Sequence, residues 1–149
     1  YFIHANRSVG LVFFDSSMKI AKPEKGNSHF TRILESLALA KATGSVAMEN
    51  LILNQSSKFG RHSTVIAITP SINTQWVTEL QSLNNRGVQV TAITLTSDSF
   101  DELTSANNIY KTLEQNGILY YAIVTGADLA ITLSSKISHK IKLTTGDEL

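Results

Sequence analysis

Apolar residues along the chain form short unbroken runs that alternate with longer stretches in which apolar residues recur every three or four positions. The runs are rich in β-branched and aromatic residues and end at turn-forming residues, a pattern typical of strands buried in a parallel sheet. Pro70 ends one run because proline has no N–H to donate to a neighbouring strand. Strands are predicted over 8–14, Thr64–Thr69, 88–95 and 118–124, with a short return strand over 18–21.

The stretches between the runs have helical periodicity. In the first predicted helix, an apolar stripe includes Phe30, Ile33 and Leu37, and we expect Ser28 to be the N-cap and Gly44 to end the helix. A turn over 23–27 precedes it. The other predicted helices are an amphipathic segment over 48–60, a helix capped by Asn73 or Thr74 and closed by Gly87, a helix within 99–116 stopped by Asn116 and Gly117, and a short helix over 129–133.

Strands that alternate with helices predict an α/β fold with a mostly parallel, Rossmann-like sheet flanked by helices. Parallel neighbours need a crossover connection, and a helix between two strands supplies it. We expect a single domain over 1–135. The segment 136–149 has few apolar residues and no helical period, so we expect it to form a tail.

The composition narrows the functional classes. The chain has 149 residues and no cysteine, which excludes thiol catalysis, zinc ribbons and a disulfide framework. Thirteen basic residues against twelve acidic ones give a formal net charge of +1. A dedicated nucleic-acid binder normally carries a basic face, so we expect no nucleic-acid partner. No motif calls for a cofactor.

The start of the sequence and its hydropathy bear on localisation. The first residue is Tyr1, and no basic region followed by an apolar region marks a signal peptide. We therefore interpret the sequence as an N-terminally truncated fragment of a longer protein. No apolar run approaches the roughly 20 residues needed to cross a bilayer, so we expect this fragment not to span a membrane.

Ligands of parallel α/β sheets bind beyond the carboxyl ends of the strands. Asp15, Ser16 and Ser17 follow the first strand, and their oxygens are the ligand type that Mg²⁺ prefers. A turn in which these side chains accept hydrogen bonds from their own backbone accounts for the same residues, and the return strand that follows favours the turn. We therefore disfavour Asp15 and Ser17 as metal ligands. The other strand ends to consider are 69–73, 96–101 and 125–128.

The loop after the second predicted parallel strand is a weak candidate for anion binding. Thr69, Ser71, Asn73 and Thr74 precede a helix N-terminus, where exposed N–H groups and the helix dipole favour negative charge. Ordinary helix capping explains the same residues. The glycine-rich motifs that bind dinucleotides or nucleoside triphosphates are absent from the sequence, as is the nucleophile elbow of hydrolases.

The remaining polar candidates have simpler explanations. The four histidines share no metal-ligand spacing, and we expect each at the surface or at the end of an element. Asp98, Asp101 and Glu102 form an acidic cluster that precedes a helix, where negative charge stabilises the positive end of the helix dipole. Trp76 lies on an apolar stripe and is predicted to be a core residue. The histidines are His4, His29, His62 and His139.

Several segments, taken in order, resemble a bacterial family of unknown function whose C-terminal half is a von Willebrand factor A-like domain. The resemblance covers about residues 1–125 and is diffuse but collinear. The residues that carry it are Asn6-Arg7-Ser8-Val9-Gly10-Leu11-Val12, Pro23 with Gly26, Arg32-Ile33-Leu34 with Leu37-Ala38, the run from Ser63 to Ser71, Trp76, and Arg86-Gly87-Val88.

The resemblance implies a metal site that has degenerated in this chain. In the family, an Asp-x-Ser-x-Ser motif follows the first strand, a later loop supplies a Thr, and a further strand ends in an Asp. The first of these strands would precede Tyr1, the Thr position falls near Gly44 and Ser45, and Pro70 takes the place of the Asp. Asp15 then aligns with a hairpin rather than with the metal motif.

Two functional hypotheses follow, from different classes. The resemblance implies a non-catalytic protein-interaction domain in the cytoplasm, anchored in many family members by upstream membrane helices, with a MoxR-type AAA+ ATPase as the partner. The alternative is a small α/β enzyme or anion-binding module that uses the loop from Thr69 to Thr74. Because the family's central strand is missing, we also expect the strands at 8–14 and 64–69 to pair directly or to be completed by another chain, as in a homo-oligomer.

Overall fold

The computed structural model describes residues 2–97 and 100–134, with residues 100–105 as backbone only. The chain divides into two compact units, Tyr1–Leu51 and Ile52–Leu149, and each is described by itself. The prediction of a single domain over 1–135 therefore stays a prediction. The predicted tail, His139, Asp98 and the side chains of Asp101 and Glu102 lie outside the described residues.

The first unit begins with a β-hairpin. Strand β1 (Val9–Phe14) pairs antiparallel with strand β2 (Met18–Glu24), with an irregular register between Val9 and Leu11. The return strand is thus confirmed, and it continues through Pro23 and Glu24, where the sequence predicted a turn. Pro23 is tolerated because a two-stranded ribbon has only edge strands. The expectation that 8–14 is a parallel strand buried on both faces is wrong.

Helix α1 (Asn27–Ala38) follows the hairpin, and its limits differ from those predicted. Its N-cap is Gly26, with no side-chain hydrogen bond, so Ser28 is not the cap. The helix ends before Gly44, at Leu39, because residues 40–47 continue as a loop. Of the predicted apolar stripe only Ile33 is buried, whereas Leu34 and Leu37 are each 48% exposed.

The next helix is shorter than its periodicity suggested. Helix α2 (Met48–Gln55) passes into a single 3₁₀ turn, Ser56–Lys58, before Phe59 adopts an extended conformation. The predicted helix over 48–60 therefore ends five residues early. The Lys58 ammonium donates a hydrogen bond to the Gln55 side chain at 2.8 Å across this turn.

The second unit is a regular β-α-β-α-β arrangement. The parallel strands β3, β4 and β5 lie side by side in chain order, and helices connect them. From Thr64 onward, every predicted strand and helix is confirmed within about one residue at each end. The elements are β3 (Thr64–Thr69), α3 (Gln75–Asn85), β4 (Gln89–Thr96), α4 (Phe100–Gln115), β5 (Leu119–Val124) and α5 (Leu129–Ser134).

Both connecting helices end in the same hydrogen-bonded motif. After α3, the N–H of Gly87 donates to Asn84 at 2.9 Å and the N–H of Val88 donates to Leu83 at 3.2 Å. After α4, Gly117 and Ile118 repeat the pattern with Glu114 and Leu113. These are Schellman motifs, in which a residue with positive φ turns the chain and the next residue enters the core. The predicted helix stops at Gly87 and Gly117 are confirmed.

The two faces of the parallel sheet differ in burial. Helices α3 and α4 contact β4 and β5, as expected when right-handed crossovers between strands in sequential order place both helices on one side. We call the face with buried side chains the covered face. The helix residues that fill the core are Trp76, Leu80, Leu83, Ile109 and Leu113. Its strand residues are Ala67, Thr69, Val90, Ala92, Thr94 and Tyr120.

The opposite face, which we call the open face, is apolar and largely unburied. Ile68 is 60% exposed and Leu119 is 47% exposed. The sequence predicted β3 to be a strand buried in a parallel sheet, and burial is wrong for its open-face half. Residues on this face meet across the strands in register, as Ile68 with Ile93 and Ile93 with Tyr121. The apolar members of the open face are Ile66, Ile68, Ile93, Leu95, Leu119, Tyr121 and Ile123.

Candidate functional site

The loop between β3 and α3 binds its own backbone. The Ser71 N–H donates to the Thr69 hydroxyl at 3.0 Å, and the Asn73 N–H donates to the Ser71 hydroxyl at 3.3 Å. The Gln75 N–H donates to Asn73 Oδ1 at 3.0 Å. Side chains two residues apart thus hold the turn in place, as Ser, Thr and Asn commonly do. Three of the four residues proposed for anion binding are thereby engaged in shaping the loop.

The start of α3 distinguishes between the two predicted caps. Thr74 is the N-cap by position, but its side chain makes no capping hydrogen bond. Asn73 instead accepts the N–H of Gln75, the first residue of the helix. The explanation by ordinary capping and turn formation therefore describes this loop. As predicted, Thr69, Ser71, Asn73 and Thr74 lie together at this loop, because they are neighbours along the chain.

Two shallow grooves lie at the carboxyl ends of the strands, on either side of Leu95 and Thr96. One, of about 440 Å³, is also lined by Pro70, Ile72 and Ser97. The other, of about 350 Å³, extends along Ile123–Gly126 to Leu129. None of the described residues that line either groove is charged. An anion that entered them would lose hydration without gaining a cationic partner from these residues.

The third strand end is also a turn. The Thr125 N–H donates to the Thr96 carbonyl at 3.1 Å, which joins the ends of β4 and β5. Asp128 Oδ1 accepts the Ile131 N–H at 3.0 Å and so caps α5. The segment 125–128, one of the strand ends singled out from the sequence, therefore starts a helix. Of the segment 96–101, the structure describes the side chains of Thr96 and Ser97.

A pair of stacked tyrosines joins α4 to β5, and no sequence pattern indicated it. The Tyr110 and Tyr120 rings stack with centroids 5.3 Å apart and an angle of 6° between the planes. The Tyr110 hydroxyl is 3.1 Å from the Thr96 hydroxyl, and the Tyr120 hydroxyl donates to Glu114 at 3.0 Å. Burial, reinforced by Glu114, raises the pKa of Tyr120 to about 12. The Tyr120 phenol remains protonated at neutral pH, and the hydrogen bonds of the two tyrosines link α4 to the sheet.

In the first unit, Asp15 shapes the hairpin turn. Its Oδ1 accepts the N–H groups of Ser16 and Ser17, the latter at 3.0 Å, and also lies 3.3 Å from the Ser16 hydroxyl. The Ser17 N–H, acting against a smaller effect of burial, holds the pKa of Asp15 below its usual range. The carboxylate is therefore ionised at neutral pH and already occupied by turn donors, as the turn explanation requires.

The loop that carries Gly44 packs against this turn. A Cβ added at Gly44 would overlap the carbonyl oxygen of Phe14, the last residue of β1. In the part of the chain that the structure describes, no group of three or more His, Asp or Glu side chains is placed to hold a metal ion. The prediction that Asp15 and Ser17 hold no metal is untested and stays a prediction.

The described histidines differ in burial. His4 and His62 are exposed. His29 is buried in the first turn of α1, where its Nε2–H donates to the Val9 carbonyl at 2.6 Å and its Nδ1 lies 3.7 Å from Glu24. Glu24 also forms an ion pair with Arg32. His29 thus attaches α1 to β1, a role that sequence spacing does not indicate.

Trp76 is fully buried, which confirms the prediction that it belongs to the core. Its indole Nε1–H has no hydrogen-bond partner among the described residues.

Comparison with family models, with curated proteins and with solved structures found no match to this chain. None of the described helices is long and apolar enough to cross a membrane.

Proposed function

We propose that this chain is a non-catalytic protein-interaction domain of von Willebrand factor A-like type, and that the open face of its parallel sheet contributes to partner binding. The observation that carries the proposal is the exposure of that face. Ile66 and Leu95 are each 40% exposed, and Ile68 and Leu119 are more exposed still. A contiguous exposed apolar patch on a folded chain commonly marks a surface that binds another molecule.

The arrangement of the open face supports binding of a protein rather than of a small molecule. Its side chains come from all three strands and form a broad surface, whereas small-molecule sites are enclosed pockets with a few converging polar groups. In the part of the chain that the structure describes, the residues lining the grooves at the end of the sheet are uncharged. A wide apolar surface without a polar centre fits the buried core of a protein interface.

The identity of the partner is the part of the proposal that rests on the resemblance. Family members often lie beside MoxR-type AAA+ ATPases, so an ATPase of this type is the proposed partner. Pro70 stands where the resemblance places a metal-binding Asp, and proline offers no ligating side chain. The proposed interaction is accordingly independent of metal.

Substitution on the open face tests this function. Ile68→Lys introduces a charge at the most exposed strand residue of the face, and desolvating that charge on binding is costly. We expect at least a tenfold weaker affinity for a MoxR-type ATPase from the same source, measured by titration calorimetry. Ser82→Lys adds the same charge at an exposed position of α3 and serves as the matched control, with unchanged affinity expected.

The alternative hypothesis, an enzyme or anion-binding module at the β3–α3 loop, makes the opposite prediction. Turnover of a small substrate that disappears in Ser71→Ala or Asn73→Ala, with the fold intact by circular dichroism, would replace the interaction proposal. Equal binding of the ATPase by wild type and Ile68→Lys would also contradict it.

A further inference from the structure

The outer edge of β3 has unpaired backbone groups. Among the described residues, β3 has a hydrogen-bonded neighbour on one side only, which is β4. The Gln89 N–H donates to the Ser63 carbonyl at 3.1 Å, and Thr64 pairs in register with Gln89. Because backbone direction alternates along a strand, the N–H and C=O groups of Thr64, Ile66 and Ile68 point away from β4.

This edge lacks the features by which proteins prevent edge pairing. Natural edge strands carry charged side chains, prolines or bulges that block the approach of another strand. Strand β3 has the sequence Thr-Val-Ile-Ala-Ile-Thr, and all six residues pair with β4 in a continuous register. Its β-branched residues favour extended structure, and none of them is charged. The exposed backbone is therefore ready to pair with a further strand.

Strand β5, at the other edge of the same sheet, is better protected. The helices of this unit contact mainly β4 and β5, and α5 follows β5 directly and packs against it. Among the described residues, no helix contacts β3 to a comparable extent. Pairing at one edge of each chain gives a closed dimer, whereas pairing at both edges would give open assemblies.

The chemistry of the edge fits a second copy of the same strand. Two β3 strands would run antiparallel if a two-fold axis perpendicular to the sheet passed midway between the Ile66 residues of the two copies. Ile66 would then lie opposite Ile66 of the second copy, and Thr64 opposite Ile68. With the symmetry-related pair of Ile68 and Thr64 this makes three pairs, and in each the backbone groups point at one another, so each pair would exchange two hydrogen bonds. A register centred on Ala67 would leave Thr64 opposite Pro70, which has no N–H.

Charge does not oppose this pairing. In the register centred on Ile66, Arg61 would lie beside Ser71 of the second copy, in a loop without charged residues. The two Ile66 side chains would then contact on the open face, and each Ile68 side chain would meet a Thr64. The formal net charge of +1 adds little repulsion between two whole chains.

We propose that this chain forms a symmetric dimer by antiparallel pairing of β3 with β3 of a second copy, which joins the two three-stranded sheets into one of six strands. The pairing goes beyond the proposed function and does not rest on it, because it uses the backbone edge of β3 and not the breadth of the open face.

A pair of charge variants tests the two-fold at Ile66. Ile66→Lys places two ammonium groups opposite each other, and Ile66→Glu places two carboxylates there, so each variant alone should be monomeric. Mixed in equal amounts, they should form a heterodimer. Light scattering coupled to size exclusion measures the masses, with twice the 16.3 kDa of one chain expected for the wild type and for the mixture.

Leu119→Lys is the matched control for charge on the open face. Leu119 is 47% exposed on β5, two strands away from the pairing edge. This variant should remain dimeric even if it weakens binding of the ATPase. Binding of the ATPase and dimerisation are thus measured separately. The proposed function and the proposed dimer can therefore fail independently of each other.

A backbone variant tests the hydrogen bonds directly. Ile66→Pro removes an N–H that points away from β4, so the ladder to β4 keeps its bonds while the edge is blocked. We expect a monomer with an unchanged circular dichroism spectrum and a dimer dissociation constant raised at least tenfold. Ile66→Thr retains the N–H and should remain dimeric. If Ile66→Pro does not fold, the Lys and Glu mixture decides the question.

Three results would overturn the proposal. The first is a wild-type chain that is still monomeric at about 100 μM, since mass action favours the dimer as the chain concentration rises. The second is a mixture of the Lys and Glu variants that stays monomeric. The third is a dimer in which hydrogen exchange at Thr64, Ile66 and Ile68 is as fast as in the monomeric Ile66→Lys variant.

Discussion

At the scale of single residues, side-chain oxygens hold the turns of this protein. Asp15 accepts backbone N–H groups in the β1–β2 turn, Asn73 does so at the start of α3, and Asp128 does so at the start of α5. Each of these side chains replaces a hydrogen bond that the backbone lacks where regular structure begins or ends. The polar residues at the strand ends are therefore explained first by structure.

Tyr120 gives the clearest prediction at this scale. Its pKa is raised from 10.0 to about 12, chiefly by burial and then by its bond to Glu114. Because the folded state holds the phenolic proton more tightly, stability is unaffected below pH 10 and falls as the pH rises from 10 toward 12. We expect urea unfolding to show a steeper loss of stability in this window for wild type than for Tyr120→Phe.

The control for this measurement is Tyr121→Phe, which removes a hydroxyl from the next residue, on the open face. It controls for the loss of a phenolic hydroxyl at the neighbouring position. An absorbance titration at 295 nm should show a late-ionising tyrosine that Tyr120→Phe removes and Tyr121→Phe retains. An identical high-pH profile for wild type and Tyr120→Phe would contradict the assignment.

At the scale of elements, the second unit repeats one local design. In both connections a helix is followed by a Schellman motif, a buried aliphatic residue and a strand. The motif glycine and the buried residue are Gly87 and Val88 in the first connection, and Gly117 and Ile118 in the second. The motif satisfies carbonyl groups at the end of the helix and directs the chain back under the sheet. These signals are local. The ends of the strands and helices from Thr64 onward could therefore be predicted from the sequence to within about one residue.

Substitution of Gly117 tests the importance of that motif. Gly117 has φ of 63°, and a Cβ added there meets no atom within 4 Å, so the effect of Gly117→Ala is one of backbone strain alone. We expect a loss of about 1–2 kcal/mol of unfolding free energy. Gly60→Ala is the matched control, since Gly60 also has open space around its Cβ position but no positive φ.

Urea unfolding followed by circular dichroism measures both variants. Gly60→Ala should be neutral or slightly stabilising, because alanine lowers the entropy of the unfolded chain. Equal stabilities for Gly117→Ala and Gly60→Ala would show that the positive φ at Gly117 carries no cost.

At the scale of the whole molecule, metal binding can be read from global stability. A ligand that binds only the folded state raises its apparent stability once the free ligand concentration exceeds the dissociation constant. Asp15 is the one carboxylate at the end of β1, and its Oδ1 is occupied by the turn. We therefore expect no saturable rise in melting temperature on titration with Mg²⁺ or Mn²⁺. A rise at sub-millimolar metal that Asp15→Ala abolishes would restore the metal-dependent hypothesis.

The sequence by itself determined the order and type of the elements, above all in the second unit. Short β-branched runs, helical spacing and glycines after helices are local signals, and the strands at 64–69 and 118–124 needed nothing more. The loop with Thr69, Ser71, Asn73 and Thr74 was likewise identifiable, because contiguous residues stay together in any fold. Trp76 was recognised as core from its place on an apolar stripe.

Only the tertiary structure decided which strands pair and which apolar residues are covered. The run at 8–14 is as apolar as that at 64–69, yet it forms a hairpin, because pairing depends on the partner and not on the run itself. Ile66 and Ile68 are exposed while Ala67 is buried, since both crossover helices lie on one side of the sheet. A strand that is apolar on both faces carries no mark of which face its helices will cover.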